Sequence, residues 1–357
     1  MNIVGPIHHI LVLRPRALGD VLLITPALRA LHTQFPEAAI DVGVDDTVVS
    51  ILDRNPHVNR RWIFPRRRPR RLRDWLPIYL GIPRVGYQLV IDLHGSPRTA
   101  MLTWISGARY RAGYDLRGRR FAYNIRIPRD TDRSGQRSML YAAATNLEFV
   151  ARCGVTGASL EDTRLVYVRS SQEAAQGPMR SLAKGPGSGK RVALAPAGTW
   201  PSKTADPELF ADIARRLVAE GHRVLMLWGP GEESLSRQIA DACDDKVQVA
   251  PATSLDQLAI VLAEFDLLIS HDSGIKHLAV AVDTPTLTLF GPTDPRAWMP
   301  VEGPHDYVRL DLPCVACNLT QCAHRSCMRL LSPATIVARA IALLDRVPRV
   351  SQQGSAR

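Results

Sequence analysis

Short apolar runs alternate with longer segments of helical spacing along this chain. Residues 10–13, Ile-Leu-Val-Leu, read as a buried strand. The loop Pro15-Arg16-Ala17-Leu18-Gly19-Asp20 follows, then an apolar segment of 3.6-residue period that reaches Phe35. Within it Thr25-Pro26 is a cap and first-turn pair, so local rules start a helix there and leave residues 20–24 as a preceding turn. Residues 40–44 and 89–93 are two further strand patterns, the second running into His94-Gly95-Ser96.

The rhythm resumes after residue 190. Strand patterns at 192–195, 224–228, 247–249, 267–270 and 286–290 are separated by helices, one over 208–219 and one from about residue 232. Another follows the capping box Ser254-Leu255-Asp256-Gln257, and Ser332-Pro333 opens a last helix that runs to about residue 345. Short apolar strands alternating with helices predict an α/β fold with parallel sheets. Between the two series, residues 176–190 hold Gly177, Pro178, Gly185, Pro186, Gly187, Ser188 and Gly189, the composition of a linker. The expected division is an N-terminal domain over 1–175, a linker over 176–190 and a C-terminal domain over 191–345, with a disordered tail over 346–357. The last helix is expected to be free to pack back on the N-terminal domain. A length of 357 residues with 46% hydrophobic content also suits two cores better than one. The halves are alike in layout without a detectable sequence repeat.

No stretch reaches the roughly 18 uncharged apolar residues of a membrane helix. The best candidate, residues 255–269, carries Asp256, Glu264 and Asp266. The apolar run at 10–13 has no basic region before it and no small-residue cleavage site after it, so a cytoplasmic location is expected. The formal charge of +11 lies entirely in residues 1–175, which hold 26 Arg, no Lys and 15 acidic residues. The densest run is Arg66-Arg67-Arg68-Pro69-Arg70-Arg71-Leu72-Arg73. Arginine's planar fork suits phosphate and carboxylate, which points to an anionic acceptor or a surface of anionic lipid. Nucleic acid would match the charge too, and a solvated arginine-rich loop is the plain alternative.

In open parallel sheets, ligands sit at the carboxyl ends of strands, where helix N-termini offer free N–H groups and partial positive charge. The pattern at 267–270 runs into His271-Asp272-Ser273-Gly274-Ile275-Lys276-His277-Leu278-Ala279. Gly274 lets a phosphate approach the backbone, and Lys276 and His277 could reach its oxygens; the alternative is an ordinary Asp or Ser N-cap with a satisfied surface histidine. A second such loop, Ala197-Gly198-Thr199-Trp200-Pro201-Ser202-Lys203, offers hydroxyls and a lysine for another phosphate, or is a surface turn. Trp228-Gly229-Pro230-Gly231-Glu232-Glu233 puts carboxylates where ribose hydroxyls are bound in dinucleotide sites, or where a helix start favours acids. The G-x-G-x-x-G fingerprint is absent, which argues against NAD. Asp20, directly after a strand and Gly19, would face the cleft between the domains as a base, or cap a helix. Cys314, Cys317, Cys322 and Cys327 have the spacing of a zinc knuckle with Cys in place of His, which makes a structural zinc site a candidate. Reduced, partly buried thiols are the alternative.

Taken together in this order, these motifs resemble glycosyltransferase family 9, the ADP-heptose:lipopolysaccharide heptosyltransferases, over about residues 8–345. The matching residues are Gly19-Asp20 with Thr25-Pro26-Ala27-Leu28, Asp92-Leu93-His94-Gly95, and Ala195-Pro196-Ala197-Gly198-Thr199-Trp200 with Lys203. To these is added Asp272-Ser273-Gly274 with His277-Leu278-Ala279. The resemblance implies a GT-B architecture of two Rossmann-like domains and an inverting transfer that needs no metal cofactor. Asp20 would be the general base, while Thr199, Lys203, Glu232, Asp272, Ser273, Gly274 and His277 would hold the ADP-sugar donor. Arg16, His94 and Arg98 would bind the acceptor, a phosphorylated lipid-linked oligosaccharide at the inner leaflet of the membrane. One departure is visible: Thr204-Ala205-Asp206-Pro207 follows Lys203 where family members often carry Trp-Pro, and the loop's tryptophan, Trp200, precedes the lysine. Other expectations are a different sugar or acceptor on the same fold, a sugar-nucleotide epimerase or hydrolase, or a basic nucleic-acid-binding protein with a zinc knuckle. The last is disfavoured, because Trp62, Phe64 and Trp75 make no stacking series beside the arginines.

Overall fold

A computed structural model describes residue 3 and residues 5–66, 72–129, 139–169, 189–244 and 246–346. Residues 67–71 of the arginine run, residues 176–188 of the expected linker and the tail from 347 lie outside the described residues. The chain divides into two compact units, Met1–Val168 and Arg169–Arg357.

Unit one holds strands β1 (His9–Leu13), β2 (Ala39–Asp45), β3 (Arg60–Phe64), β4 (Leu89–Asp92), β5 (Tyr110–Tyr114) and β6 (Ile125–Ile127). They form one parallel sheet in the order β3-β2-β1-β4-β5-β6. Unit two holds β7 (Arg191–Ala195), β8 (Arg223–Met226), β9 (Gln248–Val249), β10 (Leu267–His271), β11 (Thr286–Phe290) and β12 (His305–Arg309). Its parallel sheet has the order β12-β11-β10-β7-β8-β9. Counted from its own first strand, each sheet has the order of the Rossmann fold, which reverses between β1 and β4 in one unit and between β7 and β10 in the other. Every residue of β4, β10 and β11 is buried, as expected of strands covered by helices on both faces.

Four strands were not expected from apolar pattern: β3, β5, β6 and β12. Three of these are edge strands, and β3 and β12 are rich in charge. β5 contains Gly113, a poor strand former, but the Tyr123 ring lies 2.3 Å from where a Cβ would stand. The glycine makes room for that ring, whose hydroxyl donates to Asp92 Oδ2 at 2.6 Å.

Helices α1 to α5 of unit one are Leu18–Leu22, Thr25–Gln34, Leu72–Val85, Pro97–Ile105 and Ala142–Arg152. The turn expected over 20–24 is largely a short helix, because Asp20 accepts the Ala17 N–H at 3.0 Å and Val21 N–H donates to Ala17 O. Thr25 then does not cap α2; its hydroxyl donates to Leu22 O and accepts from Val166 N. Helices α6 to α12 of unit two are Pro207–Ala219, Glu233–Asp241, Leu255–Ala263, Gly274–Ala281, Pro295–Trp298, Ser326–Arg329 and Pro333–Arg346. The Ser254 capping box forms in both directions, with Gln257 N–H to Ser254 Oγ and Ser254 N–H to Gln257 Oε1.

In unit two Val192, Leu194, Ile269 and Leu287 of the sheet pack with Phe210 and Ile213 of α6. The same core takes Ile336, Val337, Ala340, Leu343 and Leu344 of α12. The last helix thus buries its apolar stripe in the core of its own unit. Full burial of each such leucine or isoleucine is worth about 1.5–3 kcal/mol, which accounts for its docking there.

Candidate active site

At the unit-two switch point, β10 ends at His271, Asp272 follows, and α9 begins at Gly274 with Ser273 as its N-cap. The Ser273 side chain makes no capping bond, and its buried hydroxyl has no partner. Asp272 is almost wholly buried. Its Oδ1 lies 2.7 Å from Lys276 Nζ and its Oδ2 lies 2.8 Å from Lys203 Nζ, with a third bond from Thr293 Oγ1 at 2.8 Å. Burial alone would raise its pKa, but the two ammonium groups hold it well below the usual carboxylate range. Asp272 therefore grips two cations instead of meeting an anion itself. Two lysines against one carboxylate leave one positive charge in excess at the head of a helix, where the dipole adds to it.

The two lysines differ in what they can do. Lys276 is 0% exposed, and its ammonium is also bonded to Trp298 O at 2.7 Å, so it does not reach outward as expected from its motif. Lys203 ends a short turn, Pro201–Lys203, with its Nζ 4.4 Å from the Trp200 ring centre. Its side chain keeps 13% exposure, so Lys203 is the cation of the pair open to a ligand. Trp200, displaced in sequence to the lysine's N-terminal side, thereby packs against that ammonium.

Two histidines complete this region. His271 accepts the Ala205 N–H on Nε2 at 3.0 Å, which leaves Nδ1 as the protonated nitrogen towards Ala197 O. Burial pushes its pKa down to about 4, so it is a neutral brace between the β7 and β10 loops. The loop packs closely here: a Cβ on Gly198 would stand 2.8 Å from Thr204 Oγ1, which would have to shift. His277 is buried, not a surface residue; burial and then Lys276 hold its pKa far below the ordinary value, and its Nδ1 has no partner. The Ser273 hydroxyl and His277 Nδ1 are thus two buried polar atoms without a protein partner beside the Asp272 cluster. Elsewhere in the unit, Thr199 is exposed on the β7 loop. Glu232 sits at the start of α7 with Oε2 accepting Gly229 N–H at 2.8 Å, while Glu233 pairs with Arg237.

At the unit-one switch point a cavity of about 360 Å³ is lined by Arg16, Arg66, Arg98, His94, Asp45 and Trp75, among others. It brings together all three residues expected to bind an acceptor. Arg98 lies over the Trp75 ring at 4.2 Å, and Arg66 approaches Asp45 at 3.7 Å. Three guanidinium groups against one carboxylate give the lining an excess of positive charge. Burial, reinforced by Arg14 and Arg16, lowers the His94 pKa to about 4, with Asp20 pulling the other way. Asp92 shapes this loop from beneath, its Oδ1 accepting the His94 and Gly95 N–H groups. Asp20 stands beside the cavity. Its Oδ2 takes the Ala17 N–H and its Oδ1 pairs with Arg14 at 2.8 Å, with the side chain 27% exposed. It therefore serves as a helix-start acceptor and remains open to solvent.

The four cysteines lie within electrostatic reach of one another around Cys327. Among the described residues, no group of three or more His, Cys, Asp or Glu side chains could hold a metal ion. Cys314 and Cys317 are exposed and Cys322 is half-buried, whereas Cys327 is buried on α11 against Gly291. Burial, and then the neighbouring thiols, raise the Cys327 pKa. Spacing alone did not show that Lys276 folds back onto Asp272, and it overlooked Thr293, Trp298 and Trp75. Thr293 was within reach, because Gly291-Pro292-Thr293 follows a legible strand at its carboxyl end.

Each unit is thus a Rossmann-type α/β domain with a cation-lined site at its switch point. The chain belongs to glycosyltransferase family 9 (heptosyltransferase), whose profile matches residues 81–327. Lipopolysaccharide heptosyltransferase 1 of Pseudomonas aeruginosa is 26% identical over 325 residues, which is 89% of this chain and 88% of that protein. The crystal structure of a family 9 glycosyl transferase from Veillonella parvula shares the fold with a TM-score of 0.80 at 20% identity, covering 96% of this chain and 98% of that one. The E. coli ADP-heptose lipopolysaccharide heptosyltransferase II has a TM-score of 0.72 at 20% identity, over 95% of this chain and 99% of the other. No helix among the described residues is long and apolar enough to cross a membrane.

Proposed function

We propose that this enzyme transfers a heptose from ADP-heptose to a phosphorylated, lipid-linked lipopolysaccharide inner-core acceptor, with inversion and without a metal ion. The observation that carries this reading is the buried Asp272 holding Lys203 and Lys276 at the head of α9 with one charge in surplus. The lipopolysaccharide heptosyltransferases it resembles support the sugar and the acceptor, and the name of the E. coli enzyme supports ADP as the leaving group. The diphosphate lies against the amides of Ser273 and Gly274, with Lys203 and the Ser273 hydroxyl completing its contacts and His277 behind them. Negative charge grows on the departing ADP, so these donors act more strongly in the transition state than in the ground state. Glu232 accepts from the ribose, beside Thr199.

On unit one, Arg16, Arg98 and His94, with Arg66, hold the anionic acceptor. Asp20 takes the proton from the acceptor hydroxyl as that oxygen attacks the anomeric carbon from the face opposite ADP, which inverts the centre. Arg14 and the Ala17 N–H fix the carboxylate's orientation for this step. The enzyme works in the cytoplasm, at the inner face of the membrane.

The test combines ligand binding with product analysis. ADP, and neither UDP nor GDP, is expected to raise the melting temperature, and ADP-heptose with the lipid-linked acceptor is expected to give a heptosylated product in the presence of EDTA. Asp20→Ala should abolish turnover while keeping ADP binding. A preference for UDP would overturn the donor, release of free sugar without acceptor would favour a hydrolase, and wild-type turnover by Asp20→Ala would remove the base.

A further inference from the structure

The segment over residues 312–329 is bonded to both of the loops that reach Asp272 from β7 and β11. The turn that carries Lys203 is fastened on each side of the lysine. Before it, Ser202 Oγ donates to Leu319 O at 2.6 Å and Ser202 N–H donates to Thr320 O at 3.4 Å. After it, Thr204 O accepts from the Arg325 guanidinium at 2.8 Å. On the β11 loop, Asn318 N–H donates to Pro292 O at 2.7 Å, beside the Thr293 whose hydroxyl bonds Asp272. The segment is anchored in turn by Cys327 and Met328, both buried in the unit-two core. A Cβ on Gly291 would stand 2.5 Å from Met328 Sδ and 3.0 Å from Cys327 Sγ, so the glycine gives those sulfurs their room.

Arg325 is the residue of this segment that local rules explain least. It precedes α11 with a φ of 44°, and Ala316 and Asn318 have φ of 61° and 56°, a left-handed region that residues other than glycine rarely enter. Such backbone persists where its surroundings hold it, and the Arg325 fork is held by a second acceptor, Asp206 Oδ1, at 2.7 Å. Asp206 is the N-cap of α6, where an aspartate ordinarily accepts from the first-turn amides. It makes no such bond; its carboxylate meets Arg325 and, at 3.5 Å, Arg329 instead. Asp206 also belongs to the stretch in which this chain departs from the Trp-Pro that often follows the lysine in its family. We infer that Arg325 is a positioning residue for the donor: by bridging Thr204 O and Asp206 it sets the turn from which Lys203 meets a nucleoside diphosphate, a role that rests on Lys203 being the open cation of the site. An ammonium on a four-carbon stem is a mobile point charge, so the placement of its backbone decides whether it can meet the ligand while still bonded to Asp272. Arg325 acts through Lys203, and the bonds of Ser202 hold the other side of the same turn.

Calorimetric titration of the full chain with ADP and with AMP tests the inference on Arg325→Ala, Arg325→Lys, Ser202→Ala, Lys203→Met and the double variant Lys203→Met/Arg325→Ala. Arg325→Ala should bind ADP about tenfold more weakly than the wild type and AMP as the wild type does. Arg325→Lys keeps a charge for Asp206 but lacks the planar fork that reaches both acceptors, so its ADP affinity should fall between the two. Ser202→Ala removes the bond to Leu319 O on the other side of the lysine and should lose about threefold for ADP alone. The double variant should be no weaker than Lys203→Met, because Arg325 has nothing to position once the ammonium is gone. A merely structural arginine would weaken ADP and AMP alike, and its loss would add to that of Lys203→Met. Either result, or wild-type ADP affinity in both Arg325→Ala and Ser202→Ala, would overturn the inference. If Lys203→Met loses ADP affinity and the Arg325 variants do not, the diphosphate reading stands and only the positioning role falls. If Lys203→Met binds ADP as the wild type does, both fall.

Discussion

Replacing Lys276 by Met removes a buried cation while roughly keeping chain volume. The lost ammonium leaves one Asp272 oxygen and the Trp298 carbonyl without their donor, each 2.7 Å away. Breaking a buried pair by deleting one partner costs about 3–5 kcal/mol. Lys203 and Thr293 still hold Asp272, so the loss should fall near the low end, about 3 kcal/mol. Asp272→Asn does more damage, about 4 kcal/mol, because two ammonium groups are then left together without a counter-charge. With both changes present, part of each penalty disappears, and the coupling should be about 2 kcal/mol. Native-state hydrogen exchange of the β10 amides reads this locally, which matters in a chain of two units whose global unfolding need not be two-state. A coupling below about 0.5 kcal/mol, the range of an exposed pair, would refute the claim that Asp272 and Lys276 form one buried unit.

Three other outcomes follow from the same geometry. His271 has its pKa lowered to about 4 by burial, so between that value and 6.5 the unfolded chain binds the extra proton and stability rises with pH. The stability of unit two should be complete at neutral pH and fall as pH drops from about 6.5 towards 4, by about 3 kcal/mol from His271 alone; urea unfolding that is flat across this window would contradict it. Arg98→Ala should raise KM for a phosphorylated acceptor by about ten- to a hundredfold while leaving ADP affinity unchanged, since its contacts lie in unit one; a matching loss of ADP affinity would contradict that separation. Asp20→Asn keeps a hydrogen-bond acceptor for the Ala17 N–H but loses the base, so turnover should fall steeply with little change in melting temperature.

Central strands and caps were legible because a single local cause determines each. Leucine, isoleucine and valine runs at β1, β4, β7 and β10 have no polar face to show, and Ser254 with Gln257 carries its own capping geometry. Strand β3 was illegible because Arg60, Arg61 and Trp62 sit on an edge, where apolar pattern is not required. Strand order cannot be read from local pattern at all, yet it is what places the β7 and β10 loops side by side. Around Asp272 the residue types were visible as motifs, but the way each side chain turns was not. Lys276 lies four residues beyond Asp272 on one helix face, and spacing cannot tell a lysine that reaches out from one that folds back onto a carboxylate. Asp20 keeps both of its readings, since one oxygen caps a helix and the other meets Arg14. Cysteine spacing could not show that Cys327 joins the core beside Met328 while Cys314 and Cys317 face solvent.

The central claim is that the surplus charge at the head of α9 exists to hold a diphosphate, with Lys203 as its open cation. Calorimetric titration of the full chain with ADP and AMP, on wild type and Lys203→Met, tests it most directly. Wild type should bind ADP at least about tenfold more tightly than AMP, and Lys203→Met should lose about ten- to a hundredfold for ADP with little change for AMP. Equal affinity of wild type for ADP and AMP, or undiminished ADP binding by Lys203→Met, would contradict the account.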